Sequence, residues 1–538
     1  MLRVSLLYNT TTDALGRALY CFETPDGKES PTLHVRPGDR VLINLKNNLP
    51  NPSGVTPMRM PETTIGVCGD AFMTPTSVNM HFHGTSLPPT CHSDEVMHTL
   101  VSAGASFNYD LRIPADQPPG LYWYHPHVHG LSDSAVLGGA SGALIVDGIQ
   151  HVQPATAKLP EQVLIVRDQI PAAPINWNDP NQPSWDLSLN YVPIPYPNYP
   201  PAIIEMASGE KQLWRVLNAS ADAIIDLQLQ YDRQPQTLQV VALDGVPLDS
   251  GNGRRRGSIV KMTHVNLGPA ARAEFIVDAP PADVKEATLV TLGADTGPQG
   301  DVTPPHRLAI VKLSGIRAAR PHSQQDAARG AFPAHRSRVD DLATVTTTTH
   351  RTLFFSETPP TPGGGDDSQT FFITVAGAIP KAFDPADPPS IVTTQGSVED
   401  WTIENRTPEV HAFHIHQIHF LLMARNGVPV LPEEQQYLDE VTIPYFSGRG
   451  PAPNVTVRMD FRGPLVGDFM YHCHILDHED NGMMAVLRVE PSSHAAMLDR
   501  FRFALDSLVQ WFHPSDPAAS RWCVRGRPAA SPRVISSN

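Results

Sequence analysis

The sequence predicts an all-β fold, built as three β-barrel domains in tandem and followed by a helical tail. Three observations lead there. Fifty-four prolines and 37 glycines among 538 residues supply turns and strand edges at a density that favours strands over helical bundles. A short frame recurs, in which a glycine is followed nine residues later by an asparagine: Gly38-Asp-Arg-Val-Leu-Ile-Asn-Leu-Lys-Asn47, Gly209-Glu-Lys-Gln-Leu-Trp-Arg-Val-Leu-Asn218 and Gly396-Ser-Val-Glu-Asp-Trp-Thr-Ile-Glu-Asn405. Within each copy apolar residues alternate with polar ones, the pattern of a turn leading into a half-buried strand. Three copies far apart in the chain argue for three β domains of one plan.

The frames and the composition between them divide the chain. The first domain is expected over 1–150, the second over 151–315 and the third over 351–490. Residues 316–350, rich in Ala, Arg, His and Thr, read as a linker. In the tail, 491–538, Leu498, Phe501, Leu505, Leu508 and Phe512 fall at helical spacing, so an amphipathic helix packing on the barrels is expected. A second repeat is more selective. Gly120-Leu-Tyr-Trp-Tyr-His125-Pro-His127 matches Gly467-Asp-Phe-Met-Tyr-His472-Cys-His474, with no counterpart in the middle domain. The first and third domains therefore share a chemical task, and the middle one reads as a spacer or wall.

Charge narrows the partners. Lys+Arg 40 against Asp+Glu 55 gives a net charge of −15, which disfavours nucleic acid and anionic membrane as partners. No run of about 18 apolar residues occurs, so no membrane span is expected. The first residues, Met1-Leu-Arg-Val-Ser-Leu-Leu, lack the apolar core of a signal peptide. Cys473 stands between two histidines. The other four cysteines, Cys21, Cys68, Cys91 and Cys523, permit two disulfides in three connectivities.

Histidine carries the chemistry. Of 23 histidines, ten fall in four clusters: His81-Phe-His83-Gly84, His125-Pro-His127, His411-Ala-Phe-His414-Ile-His416 and His472-Cys473-His474-Ile-Leu-Asp-His478. On a strand, residues i and i+2 share a face, so each H-x-H pair offers two imidazoles side by side. Imidazole suits copper, zinc, iron and nickel. Eight such nitrogens, half from each outer domain, suit a cluster of about three ions at the interface between those domains. Parity turns Cys473 away from His472 and His474, and His411 away from His414 and His416. With His478 and a thioether at Met483, those residues make the ligand set of a blue-copper electron-transfer site. His92, His98, His129 and His419 read as hydrogen-bonding neighbours of the motifs rather than ligands.

These motifs, in this order and spread over roughly residues 30–490, resemble the multicopper oxidases, the family of laccases, bilirubin oxidase and cuprous oxidase. The resemblance extends from Trp123-Tyr-His125-Pro-His127 to His472-Cys-His-Ile-Leu-Asp-His478-Glu-Asp-Asn-Gly-Met483. It implies cupredoxin-like Greek-key barrels and four copper ions. The type 1 copper would take His411, Cys473 and His478 with Met483 axial, and the type 2 copper His81 and His414. One type 3 copper would take His83, His125 and His474, the other His127, His416 and His472. It also implies four one-electron oxidations for each dioxygen reduced to two waters, with protons passed by acids. Glu479 matches the family's relay carboxylate. Asp94 lies where the family commonly has an acid, although its loop, Pro88-Pro-Thr-Cys-His-Ser-Asp94, is longer than usual.

Three readings of the activity follow. A non-catalytic copper scaffold would have lost ligands, and here all ten histidines and the cysteine are in place. A cuprous oxidase of the family carries a Met-rich insert before its third domain, yet no Met occurs between Met262 and Met423. Ferroxidase activity would need carboxylates beside the type 1 site, which a sequence does not locate. Elimination leaves a laccase-like oxidase of phenols and aromatic amines, with dioxygen as acceptor. Such a protein is expected to be a secreted or periplasmic monomer whose targeting segment is not visible in this chain.

Overall fold

The computed structural model describes residues 1–51, 54–60, 68–172, 174, 176, 179, 181–248, 257–314, 342–359, 369–431 and 435–492. Each recurring frame forms the central strand of a sheet. Arg40–Asn47 lies parallel to Leu2–Thr12 and antiparallel to Ser106–Arg112. Lys211–Asn218 lies in the same way between Glu161–Gln169 and Arg272–Asp278, and Val398–Asn405 between Thr349–Glu357 and Asn454–Asp460. A second sheet of the same segment accompanies each of these three. Between them lie three separate apolar cores, around Leu6, Ile43 and Phe82, around Trp214, Val240 and Phe275, and around Trp401, Phe413 and Tyr471.

The frame residues explain why the plan repeats. Gly38, Gly209 and Gly396 all have positive φ, a conformation that costs glycine least, and each turns the chain into its strand. The asparagines end the strands by holding the next loop. Asn47 Nδ2 donates to the carbonyls of Thr76 and Val101, Asn218 Nδ2 to those of Ala223, Leu267 and Gly268, and Asn405 Nδ2 to those of Glu409 and Ile443. Each Oδ1 accepts from the backbone N–H two residues on. All three asparagines are fully buried, so the sequons that begin at Asn218 and Asn405 are structural turns. Asn405 also fixes the loop that leads through Glu409 to His411.

Cys68 and Cys91 form a disulfide, while Cys21 is a half-buried thiol. Cys523, the expected tail helix and most of the expected linker lie outside the described residues. No helix among the described residues is long and apolar enough to cross a membrane.

Asn405→Ala would leave two buried carbonyls and the Thr407 N–H without this partner. It should cost about 1–3 kcal/mol, read as a lower midpoint in urea unfolding. An unchanged midpoint would mean that the loop is held by other contacts.

Candidate metal centres

Antiparallel pairing brings the histidines together in two sets. His81–His83 pairs with Gly120–His125, setting His81 opposite His125. His411–Ile415 pairs with Gly467–Cys473, setting His414 opposite His472 and Phe413 opposite Cys473. The two sets meet face to face. The His81 ring stacks on His416 with centroids 3.9 Å apart, and His83 stacks on His414 at 4.0 Å. His472 Nε2 lies 3.4 Å from His127 Nε2 and 3.2 Å from His416 Nε2. His474 completes the group, its ring centroid 5.0 Å from that of His83 and 5.6 Å from that of His125.

One nitrogen of several of these rings is anchored by the protein. His81 Nδ1 is 3.0 Å from Asp94 Oδ1, His125 Nδ1 2.9 Å from the Pro126 carbonyl, and His414 Nδ1 2.7 Å from the Asp439 carbonyl. His83 Nε2 is 3.1 Å from Asp439 Oδ1 and His472 Nδ1 2.8 Å from the Cys473 carbonyl. Among the described residues, the opposite nitrogens of His81, His83, His125 and His414 have no partner, nor do His416 Nδ1 and both nitrogens of His474. A buried polar atom left unpaired costs about 1–3 kcal/mol, so such a convergence marks a place for something other than protein atoms. Burial and mutual repulsion lower the affinity of these rings for a proton, to about 3 at His125, while at His127, at about 4, Glu479 partly offsets burial. Neutral imidazole is the form that binds a metal. Donor atoms of His81, His83 and His125, of His81, His414 and His416, and of His127, His416 and His472 lie within 4.8 Å of one another. These triads overlap, so the geometry groups the histidines without apportioning them among ions.

A second site lies on the other face of the same strand. Cys473 Sγ is 3.6 Å from His411 Nδ1 and 3.7 Å from His478 Nδ1, and the two nitrogens are 3.0 Å apart. Thr407 Oγ1 bonds His411 Nε2 at 2.8 Å, and Glu409 Oε1 is 3.5 Å from His478 Nε2, so both rings are oriented from behind. Met483 is buried in the apolar core that contains Cys473, whereas Met484 packs with Val96, Met470 and Val486. Gly482, at φ +114°, makes the turn just before them; a Cβ there would meet Ala382 Cβ at 2.7 Å.

Both expected acids are buried beside the histidine cluster. Glu479 Oε2 lies 2.9 Å from His472 Nδ1 and Oε1 3.6 Å from His127 Nε2. Burial would raise its pKa, but the neighbouring histidines hold it down at about 2. Among the described residues neither oxygen has a hydrogen-bond partner, because His472 Nδ1 directs its bond to the Cys473 carbonyl instead. Asp94 accepts from the Phe82 N–H and from Gln417 Nε2, and burial pushes its carboxyl up.

Models of the family described as multicopper oxidase match residues 71–151 and 356–493, the two stretches that carry the histidine motifs. The chain belongs to the multicopper oxidases. A laccase of Bacillus subtilis is 25% identical to this multicopper oxidase over 506 residues, covering 84% of the chain and 87% of the relative. Among solved structures, a variant of the McoA multicopper oxidase from the hyperthermophile Aquifex aeolicus superposes with a TM-score of 0.65 at 19% identity, covering 91% of this chain and 98% of that one. The multicopper oxidase from Campylobacter jejuni, described as a metallo-oxidase, gives 0.63 at 22%, covering 91% and 92%. The fold is thus that of the three-domain, cupredoxin-like oxidases, and the family implies copper. The histidine cluster and the Cys473 site fit that metal: neutral imidazoles with unpaired buried nitrogens in one, and a thiol between two imidazoles in the other.

The sequence reading missed what the middle segment does for this site. Arg272 clamps Asp439 with two bonds, of 2.7 and 2.5 Å, and Asp439 in turn touches His83 and His414. Asp244 accepts from the backbone N–H of Arg272 and of Asp439. Gly84 of the first motif is packed against this clamp, and a Cβ there would meet both Arg272 and Asp439 at 2.5 Å. A signal was present in Arg272-Ala-Glu274-Phe, two charges on one face of an otherwise apolar strand. That pattern reads as a solvent face, yet both residues are fully buried.

Arg272→Ala would leave the buried Asp439 carboxylate with only imidazoles beside it and no permanent cation, so stability should fall by about 3–5 kcal/mol. Metal analysis should also show loss at the cluster while the Cys473 site stays filled. Full metal content at wild-type stability would show that the clamp is dispensable.

Proposed function

We propose that this multicopper oxidase takes electrons one at a time from a reducing donor at the Cys473 site and delivers them to dioxygen at the histidine cluster. The observation that carries this reading is the strand His472-Cys473-His474, whose thiol faces one site while its two imidazoles face the other. Copper in these sites, one type 1, one type 2 and two type 3, would supply the redox chemistry. Cys473, His411 and His478, with Met483, would hold the first, and the eight remaining motif histidines the other three in the sets that the family resemblance implies. The covalent path from Cys473 to its neighbours gives electrons a short route. Glu479, buried against His127 and His472 with unpaired oxygens, is suited to pass protons inward. Asp94 borders a crevice of about 10 Å³, close to the smallest space that holds one water, and is suited to a second proton entry. The disulfide supports a secreted or periplasmic location.

For the donor, one feature favours a reducing metal cation over the phenols and aromatic amines reached by elimination. Glu409 sits on the outer nitrogen of His478 and shares a hydrogen bond with Glu357, whose carboxyl burial and Glu409 push up to about 8. The pair holds one carboxylate, Glu409, and one carboxyl that stays protonated near neutral pH, Glu357, and acidic side chains beside a type 1 ligand are what oxidation of a metal ion would use. Glu409→Ala should lower kcat/KM for Fe(II) or Cu(I) by about tenfold or more, the equivalent of losing roughly 1.4 kcal/mol, and leave phenol turnover less affected. Equal losses on a phenol and on the metal ions would return the reading to organic donors.

Cys473→Ser should abolish the visible charge-transfer band and nearly all oxidase activity while the circular dichroism of the barrels is kept. An intense band in that variant would sink the assignment. Glu479→Gln preserves shape, so the band should remain and reduction by the donor should stay fast. Reoxidation under air should slow by about 10² to 10⁴, the usual effect of losing a positioned acid. Stopped-flow reoxidation at the wild-type rate would make Glu479 a structural carboxylate.

A further inference from the structure

His127 of the cluster also lines a cavity of about 490 Å³ between the first and third segments. Six of the chain's 14 methionines surround it: Met58, Met60, Met73, Met97, Met470 and Met484. They come from separate stretches. Met58 and Met73 face each other across a short strand pair, and Met484 lies opposite His472 on neighbouring strands. Methionine is a common filler of core gaps, but these side chains border open volume, and Met58 is 52% exposed. An independent feature points to a ligand. His129, also on the wall, is half-buried, and among the described residues its Nδ1 has no hydrogen-bond partner.

Thioethers are soft, polarizable donors that select Cu(I) over harder divalent ions, and imidazole is compatible with copper. We propose that this cavity is a binding site for cuprous ion, separate from the Cys473 site and the histidine cluster, from which Cu(I) reaches His127. Methionine sulfurs and His129 Nδ1 are its donors. No redox step is involved, since the ion enters and is held as Cu(I). The proposal does not depend on which donor the oxidase uses. It also explains how a chain without a methionine-rich insert before its third domain can still concentrate thioethers, by folding scattered methionines onto one wall.

The test uses the full copper-loaded chain, reduced and kept free of oxygen, with Cu(I) alone offered in competition with a chromogenic Cu(I) chelator. Wild type should take up a further Cu(I) beyond its interior copper. The double variant Met73→Leu, Met97→Leu conserves apolar volume and should weaken that uptake by about tenfold or more, the scale on which lost supporting contacts affect metal sites. His129→Gln should do the same. Recovery of the Cys473 absorption band after reoxidation shows that each variant is folded. Unchanged Cu(I) affinity in the variants would overturn the proposal, as would a phenol occupying the cavity with no Cu(I) taken up. A chain isolated without interior copper would sink the oxidase reading alone; circular dichroism would then report folding, and the difference in Cu(I) uptake between wild type and the methionine variants would still report on this site.

Discussion

Strand parity at His472-Cys473-His474 is the constraint on which the rest of the structure depends. Successive side chains on a strand point to opposite faces, so one tripeptide must serve two sites. Everything around it follows from supplying partners on both faces. On the Cys473 side these are His411, from the adjacent strand, and His478, from the short helix Leu476–Asp480. On the other side the strand pair meets the equivalent pair of the first segment, which has the same glycine-to-histidine spacing because it solves the same geometric problem.

Such a seam is costly to bury. Eight imidazoles with at most 2% exposure bring unpaired nitrogens and mutual repulsion, which ring stacking such as that of Trp123 on His125 at 4.1 Å offsets only in part. The protein holds the arrangement from behind instead, through Asp94, main-chain carbonyls and Asp439. Asp439 is itself a buried charge, and its partner Arg272 comes from the segment that carries no histidine motif. Buried ion pairs of this kind add little net stability but fail badly when one member is lost. They suit a seam that must keep one geometry. The middle segment therefore acts on the site while standing outside it: Arg272 reaches Asp439, and Glu274 Oε1 accepts from the Leu121 N–H of the strand that ends in His125.

The fold was legible because its signals are periodic. The glycine-to-asparagine frame marks a turn, a half-buried strand and a loop clamp, and each needs its residue type wherever it recurs. The H-x-H motifs were legible for the same reason, since a two-residue spacing already states which side chains share a face. Contacts between distant stretches have no period to betray them. Arg272 and Glu274 look like an exposed face until another segment covers it. Glu357 and Glu409 are ordinary glutamates until the fold sets them behind His478. The methionines around the cavity are scattered from Met58 to Met484, so a search for a methionine-rich segment passes over them.

On the proposed function, the unpaired nitrogens and the Cys473 thiol hold copper. Metal analysis of the purified protein, combined with electron paramagnetic resonance of the oxidised state, tests it most directly. The account predicts about four coppers per chain in the two ligand environments, thiolate with imidazole and imidazole alone, with paramagnetic signals from the type 1 and type 2 ions. A single copper, or zinc at the histidine cluster, would contradict it.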